Sequence, residues 1–213
     1  MRKLVLICIA SVMSFAMVSC GSSSTDTTGA KPSTEVDGNF MVHPEKSNLR
    51  WTAYKFTERV GVSGVFTDFT TTDMKKGNSV PACLEGMNFN VNTSSIDSHS
   101  EDRDAKLQKF FFGTMKGGEV ISGQFGSYTG DGNKGNYTVN LVLNKVRNAV
   151  DFQYTVADGV IVLKAKISLG DFDAQKSVDS INMKCDVLHK GSDGISKLWP
   201  EVNVEVHIPY TAS

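Results

Sequence analysis

The sequence predicts an all-β domain built as an antiparallel sheet that closes on itself. From residue 40 onward, apolar and polar residues alternate with period two, which is typical of strands with one buried and one solvent-facing side. Short turns rich in Gly, Asp and Asn separate these segments. No stretch predicts a helix long enough to cover a flat sheet, so the apolar faces must bury one another.

The first 19 residues predict a signal peptide. Arg2 and Lys3 precede an apolar run from Leu4 to Val18, which is shorter than the ~20 residues of a membrane-spanning helix. The run ends in a segment that resembles the lipobox of bacterial lipoproteins, in which the cysteine, here Cys20, is lipidated. We therefore expect an exported protein, anchored to a bacterial envelope membrane through acylated Cys20, with its domain in the periplasm. Ordinary secretion, with Cys20 left as a thiol, is the alternative.

Composition divides the rest of the chain into a tether and one domain. Residues 20–38 are mostly Ser, Thr, Gly and Asp, with too little apolar surface to fold, and predict a flexible tether. Residues 39–213 have a length that suits a single sizeable core. The 22 basic and 23 acidic residues give a net charge of −1, which does not suggest a nucleic-acid partner.

The strands of this domain can be located by their alternation. Hairpin turns are predicted at 130–133 and 157–159, and many strands joined by hairpins favour a closed barrel, which has no exposed edges. The count comes to about eight strands, the number of a small up-and-down barrel. Clear strands lie at 87–92, 137–144, 150–156, 161–169 and 201–208, and weaker ones near Leu49–Phe56, Val60–Thr71 and Glu119–Tyr128.

One or two short helices interrupt the strands. Ser98 and Glu101 have the spacing of a capping box, which predicts a helix with Ser98 as its N-cap. Leu107, Phe110 and Phe111 then share one face of that helix. A second, weaker helix is predicted near 176–189, before a loop at 191–194.

Four motifs carry a family resemblance. Ser47–Trp51 is similar to an opening strand, and Val60–Phe69 to a G-x-F-x-x-F segment. The most specific is an S-I-D…R-D-x-x-L…F-F run, present as Ser95–Asp97, Arg103–Leu107 and Phe110–Phe112. Together with Leu141–Val150, these motifs resemble those of the YceI family, whose members are lipocalin-like barrels that bind isoprenoid lipids.

The resemblance spans roughly residues 40–211 and has consequences for fold and function. It implies a lipocalin-like barrel that binds, transports or stores an isoprenoid or similar amphipathic lipid without catalysis. In the last motif the chain has Asn144-Lys145 where the family has a His-Gly pair, so a polar role of that pair cannot be transferred.

An apolar cavity is expected to be lined by phenylalanines, of which the chain has 12. A barrel of this size is either filled by side chains or holds one small ligand. Taken singly, each phenylalanine is more often a core residue than a cavity residue, because aromatic side chains dominate cores. A filled barrel acting as an envelope protein-interaction module is therefore the alternative function. The expected cavity residues are Phe56, Phe66, Phe69, Phe110, Phe111, Phe112 and Phe152.

The charged cluster between Asp97 and Asp104 is interpreted as helix capping. Its spacing matches neither a Ca²⁺ loop nor a His-x-x-x-His site, and carboxylates are stabilised at a helix N-terminus. Arg103 and Asp104 are predicted to form a structural ion pair, with a contact from Arg103 to a lipid head group as the alternative. Catalysis by the cluster is a minor hypothesis. We expect no enzyme activity, no metal and no cofactor, because nucleophile-elbow, phosphate-loop and dinucleotide signatures are absent from the sequence.

Two cysteines, Cys83 and Cys185, lie in the predicted domain. Export permits a disulfide between them. Two separate, buried thiols are the other reading, and the sequence leaves both open. A homodimer is also left open.

Overall fold

The structure, a computed structural model, describes residues 39–213. Its architecture is an antiparallel sheet that curls into a half-barrel, accompanied by three short helices. The predicted signal peptide, the acylation site Cys20 and the tether lie outside the described residues. Within the described range, no helix is both long and apolar enough to cross a bilayer.

Eleven strands form the sheet in this part of the chain. They are β1 (Phe40–Val42), β2 (Asn48–Lys55), β3 (Val60–Phe66), β4 (Phe69–Thr72), β5 (Asn88–Asn92), β6 (Ile96–Asp97), β7 (Val120–Gly130), β8 (Lys134–Leu143), β9 (Val146–Ala157), β10 (Val160–Ser168) and β11 (Leu198–Ala212). The hydrogen-bonded order is β4-β5-β7-β8-β9-β10-β11-β2-β3-β6, and β1 pairs with β11.

The helices are fewer and shorter than the strands. They are α1 (Val80–Leu84), α2 (Glu101–Phe110) and α3 (Gln175–Lys184). Single 3₁₀ turns occupy Pro44–Lys46, Thr93–Ser95, Phe112–Thr114, Leu169–Phe172 and Asp186–His189.

The all-β prediction is confirmed, but the sheet does not match a closed barrel of eight strands. The paired ladder ends at β4 and β6, which do not pair with each other. The segment predicted as one strand near Val60–Thr71 is divided at 67–68, and a turn at 93–95 separates β5 from β6. These breaks face one another, because Thr67 N–H donates to the Ser95 carbonyl at 3.2 Å and Asn92 N–H to the Asp68 carbonyl at 3.0 Å.

Tight turns connect the long strands. Asn144 and Lys145, between β8 and β9, have φ angles of 54° and 61°, as expected of a type I′ hairpin. Asn144 also links three segments: its Nδ2 donates to the carbonyls of Phe172 and Asp173 at 3.0 and 3.1 Å, and its Oδ1 accepts from Lys116 N–H at 2.7 Å. This residue therefore fixes the hairpin to the chain around it.

Two hydrophobic clusters form the core. The first contains Leu84 of α1 and the buried rings of Tyr137 and Tyr154, and the Tyr137 hydroxyl donates to the Pro81 carbonyl of α1. The second contains Trp51 and Phe112 and lies against α3. The clusters place α1 against one part of the sheet, and α2 and α3 against another.

The first long helix begins later than the capping-box spacing predicts. Its N-cap is Ser100, and Ser98 is buried with a hydroxyl that has no hydrogen-bond partner among the described residues. The Asp97 carboxylate accepts the His99 N–H at 2.7 Å, and His99 has a φ of 60°. A residue in this conformation cannot belong to a right-handed helix, so Ser98 cannot cap one.

The predicted ion pair between Arg103 and Asp104 is wrong. Among the described residues neither side chain makes a salt bridge, and both bind the backbone of Ser98 instead: Arg103 Nη1 donates to its carbonyl at 3.2 Å, and the Asp104 carboxylate accepts its N–H at 3.0 Å. Adjacent helical residues do not face each other, which explains why these two do not pair.

The second predicted helix is divided. It runs from Gln175 to Lys184, ends at Cys185, and is followed by the 3₁₀ turn Asp186–His189. Val178 and Ile181 are buried as expected, whereas Leu188 is exposed.

Cys83 and Cys185 are both buried and both free, so the structure has no disulfide between them. The Cys83 Sγ–H donates to the Phe40 carbonyl at 3.2 Å, within the first hydrophobic cluster. Burial raises the pKa of both thiols. Of the two interpretations, the structure agrees with separate buried thiols.

Candidate ligand-binding cavity

A cavity of about 410 Å³ lies inside the curled sheet. Every second residue from 47 to 55 lines it, because alternate side chains of a strand point to the same face. At ~3.3 Å per residue, this row extends about 26 Å along the chain. The lining residues of the row are Ser47, Leu49, Trp51, Ala53 and Lys55.

The other strands contribute mainly apolar side chains. Residues from β5, β8 and β11 face the cavity through the same alternation that identified these strands in the sequence. The volume and apolar character fit the usual properties of small-molecule sites. The contributed residues are Phe89, Val91, Val139, Leu141, Leu143, Val202, Val204, Val206 and Ile208.

Five of the seven predicted phenylalanines line the cavity: Phe66, Phe69, Phe111, Phe112 and Phe152. Phe112 is the centre of this group, because its ring packs edge-on against Phe66 at 6.2 Å and against Phe111 at 4.9 Å between centroids. Such edge-to-face contacts hold the rings in defined positions. The wall beside α2 is therefore aromatic.

Phe56 and Phe110 do not line the cavity. Phe56 lies in the turn after β2 with a φ of 63°, and its carbonyl accepts the indole N–H of Trp199 at 2.8 Å. The ring of Phe110 lies beneath the ammonium groups of Lys109 and Lys184, at 5.3 and 5.4 Å. Both rings belong to the outer surface around the cavity.

Sequence reasoning missed several lining residues. Trp51, Phe89 and Phe125 face the cavity, and Val178 and Ile181 of α3 also line it. Trp51 alternates with Leu49 and Ala53, so the period-two pattern contained the signal for its orientation. No local signal placed α3 over the sheet.

The cavity opens beside α2 and α3. Asp102, whose side chain is 77% exposed, and Leu188, which is 56% exposed, both line the cavity and contact solvent. We call this end the mouth. Most of the polar lining residues lie here: Lys55, Ser100, Asp102, Arg103, Lys106, Cys185 and His189.

The ionisable side chains at the mouth make hydrogen bonds with neighbouring groups. Lys106 Nζ bonds to Asp102 at 2.5 Å, and this hydrogen bond raises the pKa of Lys106. Lys55 Nζ donates to the Leu188 carbonyl at 3.3 Å. Burial, together with the nearby ammonium of Lys55, lowers the pKa of His189 to about 4. His189 is therefore neutral near pH 7, and its Nδ1 lies 2.9 Å from Oδ1 of Asn182.

Three carboxylates of the acidic cluster at the start of α2 and in β6 make local hydrogen bonds. Asp97 and Asp104 accept backbone N–H groups, and Asp102 pairs with Lys106. Within residues 39–213, no three His, Cys, Asp or Glu side chains are arranged to hold a metal ion.

Comparison with known proteins agrees with this architecture. The sequence model of the YceI-like domain family matches residues 40–210. No curated protein matches the chain.

Solved structures share the fold at low sequence identity. A polyisoprenoid-binding domain from Saccharophagus degradans superposes with a TM-score of 0.57 at 13% identity, covering 82% of this chain and 99% of that one. BcnA of Burkholderia cenocepacia gives 0.56 at 15% identity, over 80% and 99% of the two chains. A YceI protein of Campylobacter jejuni gives 0.52 at 19% identity, over 75% and 89%. At such identities the likeness is one of fold.

Proposed function

This chain belongs to the YceI-like domain family, and we propose that it binds an isoprenoid or similar amphipathic lipid and carries or stores it without chemical conversion. The observation that supports this most strongly is the cavity. Its lining is apolar along the length of β2 and becomes polar and charged at the mouth. A ligand that fits this distribution has a long apolar part and one polar end.

Affinity would come chiefly from the apolar part. Burying a methylene group contributes ~0.8 kcal/mol, so a chain of several isoprene units gains a large favourable free energy. The polar end would lie near Lys55, Arg103 and Lys106, which all line the mouth. The Saccharophagus degradans domain, described as polyisoprenoid-binding, has the same fold, which is consistent with such a ligand.

The curled sheet is proposed to act as a closed barrel around the ligand. The bonds from Thr67 to Ser95 and from Asn92 to Asp68 join its two ends where the paired ladder is interrupted. With the ends joined, the ligand would be surrounded by the sheet on all sides except the mouth.

The proposed location is the bacterial envelope. The lipobox-like segment at Cys20 and the apolar run before it support export and lipid anchoring, with the domain in the periplasm. A membrane-anchored carrier would stay close to the bilayer that contains its ligand. A side-chain-filled barrel acting as an interaction module is less favoured, because the interior has about 410 Å³ of free space.

The test is native mass spectrometry of the chain extracted from membranes in mild detergent. We expect a complex heavier than the polypeptide, which releases a lipid on denaturation. The stripped chain should then take up a polyprenyl compound added from vesicles. A chain that is empty in every preparation and takes up no polyprenyl compound contradicts the proposal.

A further inference from the structure

Four large apolar side chains are exposed within one short segment beside the mouth. Met183 is 69% exposed, Val187 81%, Leu188 56% and Ile195 54%. Single exposed apolar residues are ordinary, but a contiguous group indicates an interaction surface.

Backbone contacts hold this segment together at the mouth. Leu188 lines the cavity, and its carbonyl accepts from Lys55. Lys197 N–H donates to the His189 carbonyl at 3.1 Å, and Lys190 pairs with Ser196, so the loop that contains Ile195 returns to the Leu188 turn. Met183, Val187, Leu188 and Ile195 are defined here as the mouth patch.

Lysines surround the mouth patch. Lys109 and Lys184 share the ring of Phe110, and Lys197 lies 3.9 Å over the ring of Trp199, which lines the cavity. None of these three lysines, nor Lys55, makes a salt bridge within residues 39–213. On a chain with a net charge of −1, this places unpaired positive charge around the mouth.

Two of four nearby carboxylates are paired with lysines, and the other two accept hydrogen bonds from hydroxyl groups. Asp186 pairs with Lys190 at 2.5 Å, as Asp102 does with Lys106. Glu58 and Asp193 accept hydrogen bonds from the hydroxyls of Ser192 and Thr57, respectively. A neutral hydroxyl does not neutralise a carboxylate, so Glu58 and Asp193 keep their negative charge. The four lysines that make no salt bridge within the described range outnumber these two carboxylates.

We propose that the mouth patch docks on a bilayer surface that contains anionic lipids. Its apolar side chains would enter the interfacial region while the lysines contact anionic head groups, as in other interfacial proteins. The inference rests on the proposed lipid-carrier function and adds the route of loading: the ligand passes between bilayer and cavity without crossing water. A protein partner on this surface would instead cover the mouth and block exchange.

The test is hydrogen–deuterium exchange of the full-length chain on phosphatidylglycerol and on phosphatidylcholine vesicles. Only the lipid charge differs, so any attachment through the N-terminus is the same in both. We expect slower exchange in residues 183–195 on the anionic vesicles, and loss of this protection at high salt, because salt screens exposed charges. Exchange at the β7–β8 turn, residues 131–133, should not change.

Substitutions inside and outside the mouth patch test whether the protection depends on the patch itself. The double variant Met183→Ser/Val187→Ser should lose the protection, whereas Met74→Ser, which changes a methionine of similar exposure outside the patch, should retain it. Equal exchange on both vesicles, or protection that survives the double variant, overturns the proposal. Protection without vesicles that grows with protein concentration assigns the patch to a second copy of the chain and also overturns it.

Ligand content measured on the same preparations distinguishes the two proposals. A chain that docks but is always empty retains the docking inference and contradicts the carrier function. A chain that contains lipid but fails to dock retains the carrier function and contradicts the docking inference.

Discussion

Arg103 and Asp104 bind the two backbone polar groups of a single residue, Ser98. The guanidinium donates to its carbonyl at 3.2 Å and the carboxylate accepts its N–H at 3.0 Å. Because Ser98 is buried, these bonds replace the water that its backbone loses on folding. The pair thereby attaches α2 to the end of β6 and sets the position of the aromatic wall that follows the helix.

Asp104→Ala should destabilise the fold by about 1–3 kcal/mol, because it leaves the buried N–H of Ser98 without an acceptor. Ser98→Ala should leave the free energy of unfolding nearly unchanged, because the Ser98 hydroxyl has no partner among the described residues. Urea denaturation measures both. A loss of ~1 kcal/mol for Ser98→Ala, the usual cost of removing an N-cap, would contradict this account.

Phe112→Ala should cost about 3–5 kcal/mol, because it removes a buried ring that packs against Phe66 and Phe111. Phe110→Ala is the matched control at a neighbouring position. Its ring contacts the ammonium groups of Lys109 and Lys184 at the surface, so its loss should cost less than ~1 kcal/mol. Chemical denaturation measures both losses of unfolding free energy. Similar losses for the two variants would contradict a buried ring at Phe112 and a surface ring at Phe110.

Asn144→Gly should lower stability by about 1–3 kcal/mol. The glycine accepts the positive φ but loses three hydrogen bonds, each contributing ~0.5–1.5 kcal/mol. Lys145→Gly relieves a positive φ at the next position of the same turn, and should leave stability unchanged or raise it by up to ~1 kcal/mol. Thermal or chemical unfolding of both variants checks this, and a loss for Lys145→Gly as large as for Asn144→Gly is the contrary result.

His189 should make the mouth sensitive to acid. Its pKa is about 4 in the folded chain against an ordinary 6.5, so the unfolded chain takes up a proton first as the pH falls. The stability contributed by neutral His189 is present above pH 6.5 and is lost progressively toward pH 4. Unfolding measured across this range should show a weaker pH dependence for His189→Gln. An identical pH dependence in the variant would show that His189 does not contribute.

Much of the sheet could be predicted because alternation records which side of a strand is buried. It located β8, β9 and β10 closely, but it did not reveal the break at 67–68, where the pairing partner changes from β6 to β5. β1 has three residues, too few to alternate. The start of α2 was misread because the capping spacing of Ser98 and Glu101 is local, whereas the positive φ of His99 and the bond from Asp97 decide where the helix begins.

The cavity was only partly predictable for a related reason. The residue types indicated that the cavity is lined by aromatic rings. Whether a given ring faces the cavity or the surface depends on the helix, turn or strand that carries it. Phe111 and Phe112, past the end of α2, face the cavity, whereas Phe110 in its last turn faces the surface. The contribution of α3 depends on how it packs over the sheet, which no local pattern records.

The most direct test of the account is the affinity of the stripped chain for a fluorescent polyprenyl compound, with the cavity filled by Ala53→Trp. Ala53 lines the cavity, whereas Arg50 lies on the outer face of the same strand. Arg50→Trp is therefore the matched control, and circular dichroism should show both variants folded. We predict that Ala53→Trp weakens binding more than ~10-fold, about 1.4 kcal/mol, while Arg50→Trp binds as the unmodified chain does. Unchanged affinity in Ala53→Trp would contradict the claim that the lipid occupies the interior of the sheet.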